Sequence, residues 1–177
     1  MYTCFVETPL GMVRAAAEDK GLQGLWFQGQ KYYPAGTETW IDTPYFPVFV
    51  SLKSWLKEYF AGKKPETKVP LSPEGTDFQQ AVWKLLLKIP YGKTTTYGDI
   101  AARLASGGGK GSAQAVGGAV GHNPISLLIP CHRVLGTDGS LTGYAGGTDK
   151  KLALLELEGV IAPLPKVPHQ PDLSFSR

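Results

Sequence analysis

Ser112-Ala113-Gln114-Ala115-Val116-Gly117-Gly118-Ala119-Val120-Gly121 is the stretch from which the fold of the second half of the chain is read. Ser112 offers an N-cap oxygen, the small residues after it predict a helix to about Gly121, and Asn123-Pro124 ends it. Two adjacent glycines cost about 1 kcal/mol each in a helix interior, which argues for close backbone approach by something else. Upstream, Thr96 with Asp99 starts a shorter helix through Ile100, Ala101 and Leu104. Residues 107–111, glycine-rich and carrying Lys110, connect the two. This arrangement fits a helix-turn-helix, whose second helix enters a DNA groove. It fits a helix packed tightly on its neighbours as well. So few long polar side chains exclude reading of the major groove by hydrogen bonds.

Working outward, Thr76 and Gln79 form a capping box for a helix whose apolar face is Phe78, Val82, Leu85, Leu86 and Ile89. Pro90 and Gly92 stop it. Before it, residues 63–75 hold Pro65, Pro70, Pro73 and Gly75 among charges, the composition of a domain boundary. The first block reads as strands over residues 2–7, 12–17 and 22–27, then a polar loop over 28–43. A helix follows over 47–61 with Phe49, Leu52, Leu56 and Tyr59 at helical spacing. No catalytic constellation is visible in this block. The expected division is a small α/β domain over 1–75, a second domain over 76–160, and a proline-rich, disordered tail over 161–177.

The chain has 177 residues, 42% of them hydrophobic, enough to bury a core. It contains no run of 18 apolar residues and no basic-then-apolar start, which predicts a soluble intracellular protein. Two cysteines, Cys4 and Cys131, stand far apart. His122, His132 and His169 do not fall with them in any zinc spacing, so no metal is expected. The net charge of +3 is compatible with nucleic acid without being diagnostic.

The chemistry centres on Ile129-Pro130-Cys131-His132-Arg133-Val134, where the apolar run 125–129 reads as a strand ended by proline. Pro130 turns the chain and leaves Cys131 at an element's end. A thiolate is the strong nucleophile among side chains, and a nearby base makes it available. Neighbours on extended chain point to opposite faces, so His132 reaches the sulfur only through a water. An inert, buried cysteine is the plain alternative. After a turn at Gly136-Thr137-Asp138-Gly139, residues 141–147 form a glycine-rich loop. Thr148 caps a last helix with Leu152, Leu154 and Leu155, and Glu158 stands before Gly159 at its end.

Pro130-Cys131-His132-Arg133-Val134, with Asn123-Pro124 before it and Gly143-Tyr144-Ala145-Gly146-Gly147 after it, resembles the active-site segment of the O6-alkylguanine-DNA alkyltransferases. These DNA repair proteins move an alkyl group from guanine onto their own cysteine. The resemblance covers roughly residues 76–159 at motif level and the first block in outline. It implies an α/β fold: a ribonuclease-H-like N-terminal domain, then a mostly helical, winged-helix-like domain with a helix-turn-helix. It implies no cofactor and a monomer in the cytoplasm, or in the nucleus of a eukaryote. The implied partner is double-stranded DNA bound through the minor groove without reading sequence, which suits damage in any context.

Position by position, Cys131 becomes the alkyl acceptor, His132 its base through a water, and Glu158 the group that orients the imidazole. Asn123 braces the active-site turn, and the Tyr97 hydroxyl donates to the guanine ring nitrogen. Tyr144 forms the wall on which the flipped base stacks, and the Ala145 N–H meets the guanine oxygen. The Cys131 and Val134 carbonyls accept from the exocyclic amine. Gly146 and Gly147 allow close approach, and Val120 bounds the pocket. On the DNA side the expected residues are Ser112, Ala113, Gln114, Ala115 and Gly118 on the helix, with Lys110, Arg103 or Arg133 compensating on phosphates for a missing helix cation. Gln114 stands where the family usually has an arginine, and Gly121 where some relatives have another. A non-reacting alkylguanine-recognition module, or a cysteine hydrolase, is the alternative reading.

Overall fold

The computed structural model describes residues 1–161; of the tail expected over 161–177, all but the first residue lies outside the described residues. Strands β1 (Tyr2–Thr8), β2 (Gly11–Glu18) and β3 (Gly21–Phe27) pair antiparallel in sequence order. The register Tyr2↔Ala17 and Val13↔Phe27 turns Val13, Ala15 and Ala17 to the core. A fourth strand, β4 (Ile41–Asp42), lies parallel to β1 inside the stretch that reads as loop. Two residues show no alternation, so only the bonds Ile41 N–H to the Met1 carbonyl and Thr43 N–H to Thr3 reveal it. Helix α1 (Pro47–Phe60) buries Phe49, Leu52, Trp55, Leu56 and Tyr59, the spacing of one helical face.

Every residue of β3 is buried, because the free edge of the sheet is closed by the rest of the chain. Leu22 exchanges backbone bonds with Pro70 and Ser72 at 2.8 and 2.7 Å, and Leu25 with Pro124 and Ser126 at 2.8 and 3.0 Å. The second contact fastens the N-terminal sheet to the turn beside Asn123.

The capping box of α2 (Asp77–Leu86) forms from both sides, with Thr76 and Gln79 bonding each other's backbone at 3.2 and 3.0 Å. Val82, Trp83 and Leu86 are its buried residues, and Trp83 Nε1–H donates to the Ala119 carbonyl at 2.9 Å. That bond pins α4 (Ala113–Gly121) onto α2. Helix α3 (Tyr97–Ser106) starts at Thr96 and α4 at Ser112, each cap oxygen accepting from the backbone three residues on at 3.1 Å. Together α3 and α4 are the helix-turn-helix.

Its glycines do not serve internal packing. A Cβ on Gly117 would meet Tyr97 Cδ1 at an ordinary 3.8 Å, and one on Gly118 would meet nothing within 4 Å.

Within residues 125–129 only Ile125 pairs, as an isolated parallel bridge to Leu25, and the rest is turn and bend rather than strand. Leu127 takes a φ of 72°, which no strand accommodates. Apolarity beyond Ile125 reflects burial without sheet pairing. Cys131–Arg133 follow as one 3-10 turn, and β6 (Val134–Leu135) then pairs in parallel with β5 (Thr95–Thr96). Helix α5 (Thr148–Leu157) is entered through Gly147 at φ 100°, and Thr148 makes no side-chain cap. Its C-cap is Glu158.

Candidate active site

A 3-10 turn spaces successive side chains about a third of a circle apart. Extended geometry therefore does not govern Cys131-His132-Arg133, and both His132 and Arg133 reach one carboxylate. His132 Nε2 lies 2.9 Å from Glu158 Oε1. Arg133 donates to Glu158 Oε2 through Nε at 2.9 Å and to Oε1 through Nη2 at 2.7 Å. Its Nη1 donates to the Ile89 carbonyl at 2.7 Å. The Tyr59 hydroxyl, carried by α1 of the N-terminal domain, donates to the same Oε1 at 2.9 Å. All four side chains are buried.

The charges follow from those contacts. Burial alone would raise the Glu158 carboxyl, but the bonds from His132 and Arg133, with the Arg133 charge, outweigh it and pull it down to about 2. Burial pushes the Tyr59 phenol far up, and the Glu158 carboxylate adds to that, so it remains a donor. Burial lowers His132 more than Glu158 raises it, leaving a neutral imidazole. A neutral ring facing a carboxylate must donate from Nε2, so Nδ1 is its bare acceptor. Nδ1 is buried and has no hydrogen-bond partner among the described residues. One ring nitrogen is thus fixed and the other is ready to take a proton.

Burial also pushes up the Cys131 thiol, with Asn123, Lys151 and nearby backbone N–H groups pulling the other way. The resting pair is therefore a thiol beside a neutral base. Cys4, buried in the N-terminal domain, is pushed to about 11 by burial and has no such machinery. Both cysteines are free.

Asn123 braces the turn, its Oδ1 accepting from Ile125 N–H at 3.0 Å and its Nδ2 donating to the Ile129 carbonyl at 2.8 Å. Tyr97 donates its hydroxyl to the Thr142 carbonyl at 2.9 Å. Val134 and Val120 are buried, and the Val134 carbonyl accepts from the Lys151 ammonium. The Ala145 carbonyl accepts from Lys31 N–H at 3.1 Å, while its own N–H donates to nothing among the described residues. A Cβ on Gly146 would fall 2.8 Å from Tyr144 Cε1 and 3.2 Å from Phe27 Cδ2, so close packing demands glycine there. The Tyr144 hydroxyl is buried without a hydrogen-bond partner among the described residues.

A cleft of about 400 Å³ opens between α3, α4 and residues 136–143, lined by Tyr97, Ala113, Gly117, Thr142 and neighbouring glycines. Cys131, Val120, Val134, Tyr144 and Ala145 are not on its wall, and Cys131 is 5% exposed.

On α4 the exposed residues include Ala113, Gln114, Ala115 and Gly118, with Ser112 at the cap and Lys110 and Arg103 exposed nearby. Arg133 must be removed from that group. Its guanidinium is buried against Glu158 and Ile89 and is not free to meet a phosphate.

Two participants escaped the sequence reading. Tyr59 was read as core of α1, and its partner lies 99 residues away. Lys151 is fully buried, its Nζ donating to the Val134 and Thr142 carbonyls, and burial lowers its ammonium to about 8. A signal for Lys151 existed: 151, 154, 155 and 158 form one helical stripe whose middle is leucine.

The fold and this site define a class: a two-domain DNA-binding protein with a buried cysteine followed directly by a histidine that bonds a carboxylate. Residues 77–160 match the family model described as 6-O-methylguanine DNA methyltransferase, DNA binding domain, and residues 1–73 match its ribonuclease-like domain. The chain belongs to the 6-O-methylguanine DNA methyltransferase family. It is 48% identical over 158 residues to a methylated-DNA--protein-cysteine methyltransferase of Mycobacterium tuberculosis, covering 89% of this chain and 92% of that one. A Methanosarcina acetivorans protein of the same name is 42% identical, covering 90% of this chain and 99% of its own. The crystal structure of Mycobacterium tuberculosis OGT in complex with DNA superposes with a TM-score of 0.80 at 44% identity, covering 89% and 92% of the two chains. Among the described residues, no helix is long and apolar enough to cross a membrane.

Proposed function

We propose that the chain repairs O6-alkylguanine in duplex DNA by moving the alkyl group irreversibly onto Cys131. The observation that carries this reading is the buried relay of His132 and Glu158 directly after Cys131, one turn from the helix-turn-helix. A base within a duplex is out of reach of a buried sulfur, so the nucleotide is extruded. Residues 136–147 must shift to admit it, because Cys131 is 5% exposed.

Cys131 gives its proton to His132 Nδ1 through a water, and Glu158 stabilises the imidazolium. Sγ attacks the alkyl carbon, the S–C bond forms and the C–O6 bond breaks. The electron pair passes into the guanine ring. There the Tyr97 hydroxyl, turning from the Thr142 carbonyl, supplies a proton that solvent replaces. The Ala145 N–H is the donor left for O6, and the carbonyls of Cys131 and Val134 accept from the exocyclic amine. Val120, Tyr144 and Gly146 bound the pocket. Nothing here cleaves a thioether, so each molecule reacts once. The compartment that follows is the one holding the chromosome, the cytoplasm or a eukaryotic nucleus.

Intact-protein mass spectrometry after incubation with an O6-methylguanine duplex tests the proposal, with Cys131→Ser as control. One added methyl per chain, absent in the control, is expected. Tight binding with no added mass would favour a recognition module instead.

A further inference from the structure

Two non-glycine residues take left-handed backbone among the described residues, Leu127 and Tyr32. Leu127 is buried and held by the core. Tyr32 is 48% exposed at φ 60°, a strained conformation that a bulky side chain rarely adopts. What holds it lies in the other domain. Its ring stacks on His122 with centroids 3.9 Å apart. His122 is the C-cap of α4, and its Nδ1–H donates to the Gly118 carbonyl at 2.7 Å, which fixes the imidazole. The neighbouring Lys31 donates its N–H to the Ala145 carbonyl at 3.1 Å. Its ammonium lies 5.0 Å over the Tyr32 ring and makes no ion pair among the described residues. Two consecutive residues of the N-terminal domain thus bridge the end of α4 and the loop after the reactive turn.

We propose that Lys31 and Tyr32 form a second contact with duplex DNA, supplied by the N-terminal domain and resting on the reading of α4 as the DNA-facing helix. Ala115, Gly118 and His122 are exposed and spaced three and four residues apart, so they share one face of α4. The Tyr32 ring extends that face past the helix end. Between Ala113 and Gly121 the helix carries no cation, so phosphates beside it must be met from outside. Lys31 supplies the charge. Tyr32 packs its ring on the sugar and donates its hydroxyl to a phosphate oxygen, contacts that read no sequence.

The test measures the Kd of the full chain for an undamaged duplex across a salt series, for wild type, Lys31→Ala, Lys31→Glu and Tyr32→Ala. Methyl transfer from free O6-methylguanine base runs in parallel. Lys31→Ala should raise Kd about fivefold and lower the slope of log K against log salt by about 0.9, the loss of one phosphate contact. Lys31→Glu should raise Kd further, and Tyr32→Ala should raise it with little change in slope. Unchanged Kd and slope in all three variants, with wild-type methyl transfer intact, would overturn this proposal alone. A free-base rate falling by the same factor as DNA affinity would overturn it too, by placing the effect at Ala145 and the pocket. Loss of methyl transfer to Cys131 in the wild type would instead break the functional reading.

Discussion

The reactive turn and helix α4 stand a few residues apart and are built on opposite terms. Around Glu158 the polar groups are buried and converge: a histidine and an arginine from one 3-10 turn and a tyrosine from α1 meet on one carboxylate, and only the acceptor nitrogen of His132 is left open. On α4, the exposed face offers little to match beyond Gln114: small side chains and the open space over Gly118. A nucleophile needs its base held in one tautomer and one place, which demands long-range contacts that other elements must close. A surface meant for a groove in any sequence context needs shape and little else. The first region should fail when a partner is removed, the second when something is added.

The largest expected effect comes from Glu158→Gln. The amide keeps one acceptor but turns an NH2 toward the donors of His132, Tyr59 and Arg133, and it leaves the Arg133 guanidinium without its anion. Breaking a buried pair in this way should cost about 3 kcal/mol, measured by denaturant unfolding. The rate of methyl transfer to Cys131 should fall about 100-fold, because neither His132 tautomer nor its cation is then fixed. The pH dependence gives a sharper check. The Glu158 carboxyl is depressed to about 2 in the fold against 4.5 for the free group. Its stabilisation is complete above about 4.5 and is lost as pH falls toward 2, so wild type and variant should converge in stability over that window. A constant gap down to pH 2 would place the stabilisation elsewhere.

That contrast also explains what was legible in the sequence. Local devices were: the Thr76–Gln79 box, the Thr96 and Ser112 caps and the three strands depend on residues within a few positions of each other. The pairing of His132 with Glu158 was implied by the resemblance, and the two side chains lie 2.9 Å apart. The other partners of Glu158 were not legible. Arg133 reads as a cation free for phosphate until α5 brings Glu158 from 25 positions away. Tyr59 reads as packing until α1 docks. The run 125–129 reads as a strand because burial and sheet pairing leave the same apolar signature, and only the φ of Leu127 separates them.

On α4 the sharpest addition is Gly118→Leu. Nothing in the chain lies within 4 Å of the new Cβ, and leucine is a better helix former by about 1 kcal/mol. The melting temperature should therefore hold or rise, while duplex affinity falls about tenfold as the side chain intrudes between helix and groove. A lower melting temperature would mean that Gly118 packs within the protein after all.

The smallest expected effect is a gain. Gln114 is exposed on α4 and brings hydrogen-bonding capacity without charge. Gln114→Arg should tighten duplex binding about fivefold at low salt and steepen the salt slope by about 0.9, one added phosphate neutralised. Repair of an O6-methylguanine duplex should quicken at limiting DNA, whereas the rate with free O6-methylguanine base should not move, since the relay at Glu158 is untouched. Affinity and repair rate both unchanged would mean that this face of α4 meets DNA by shape alone, and that the charge Gln114 lacks is already supplied from elsewhere on the protein.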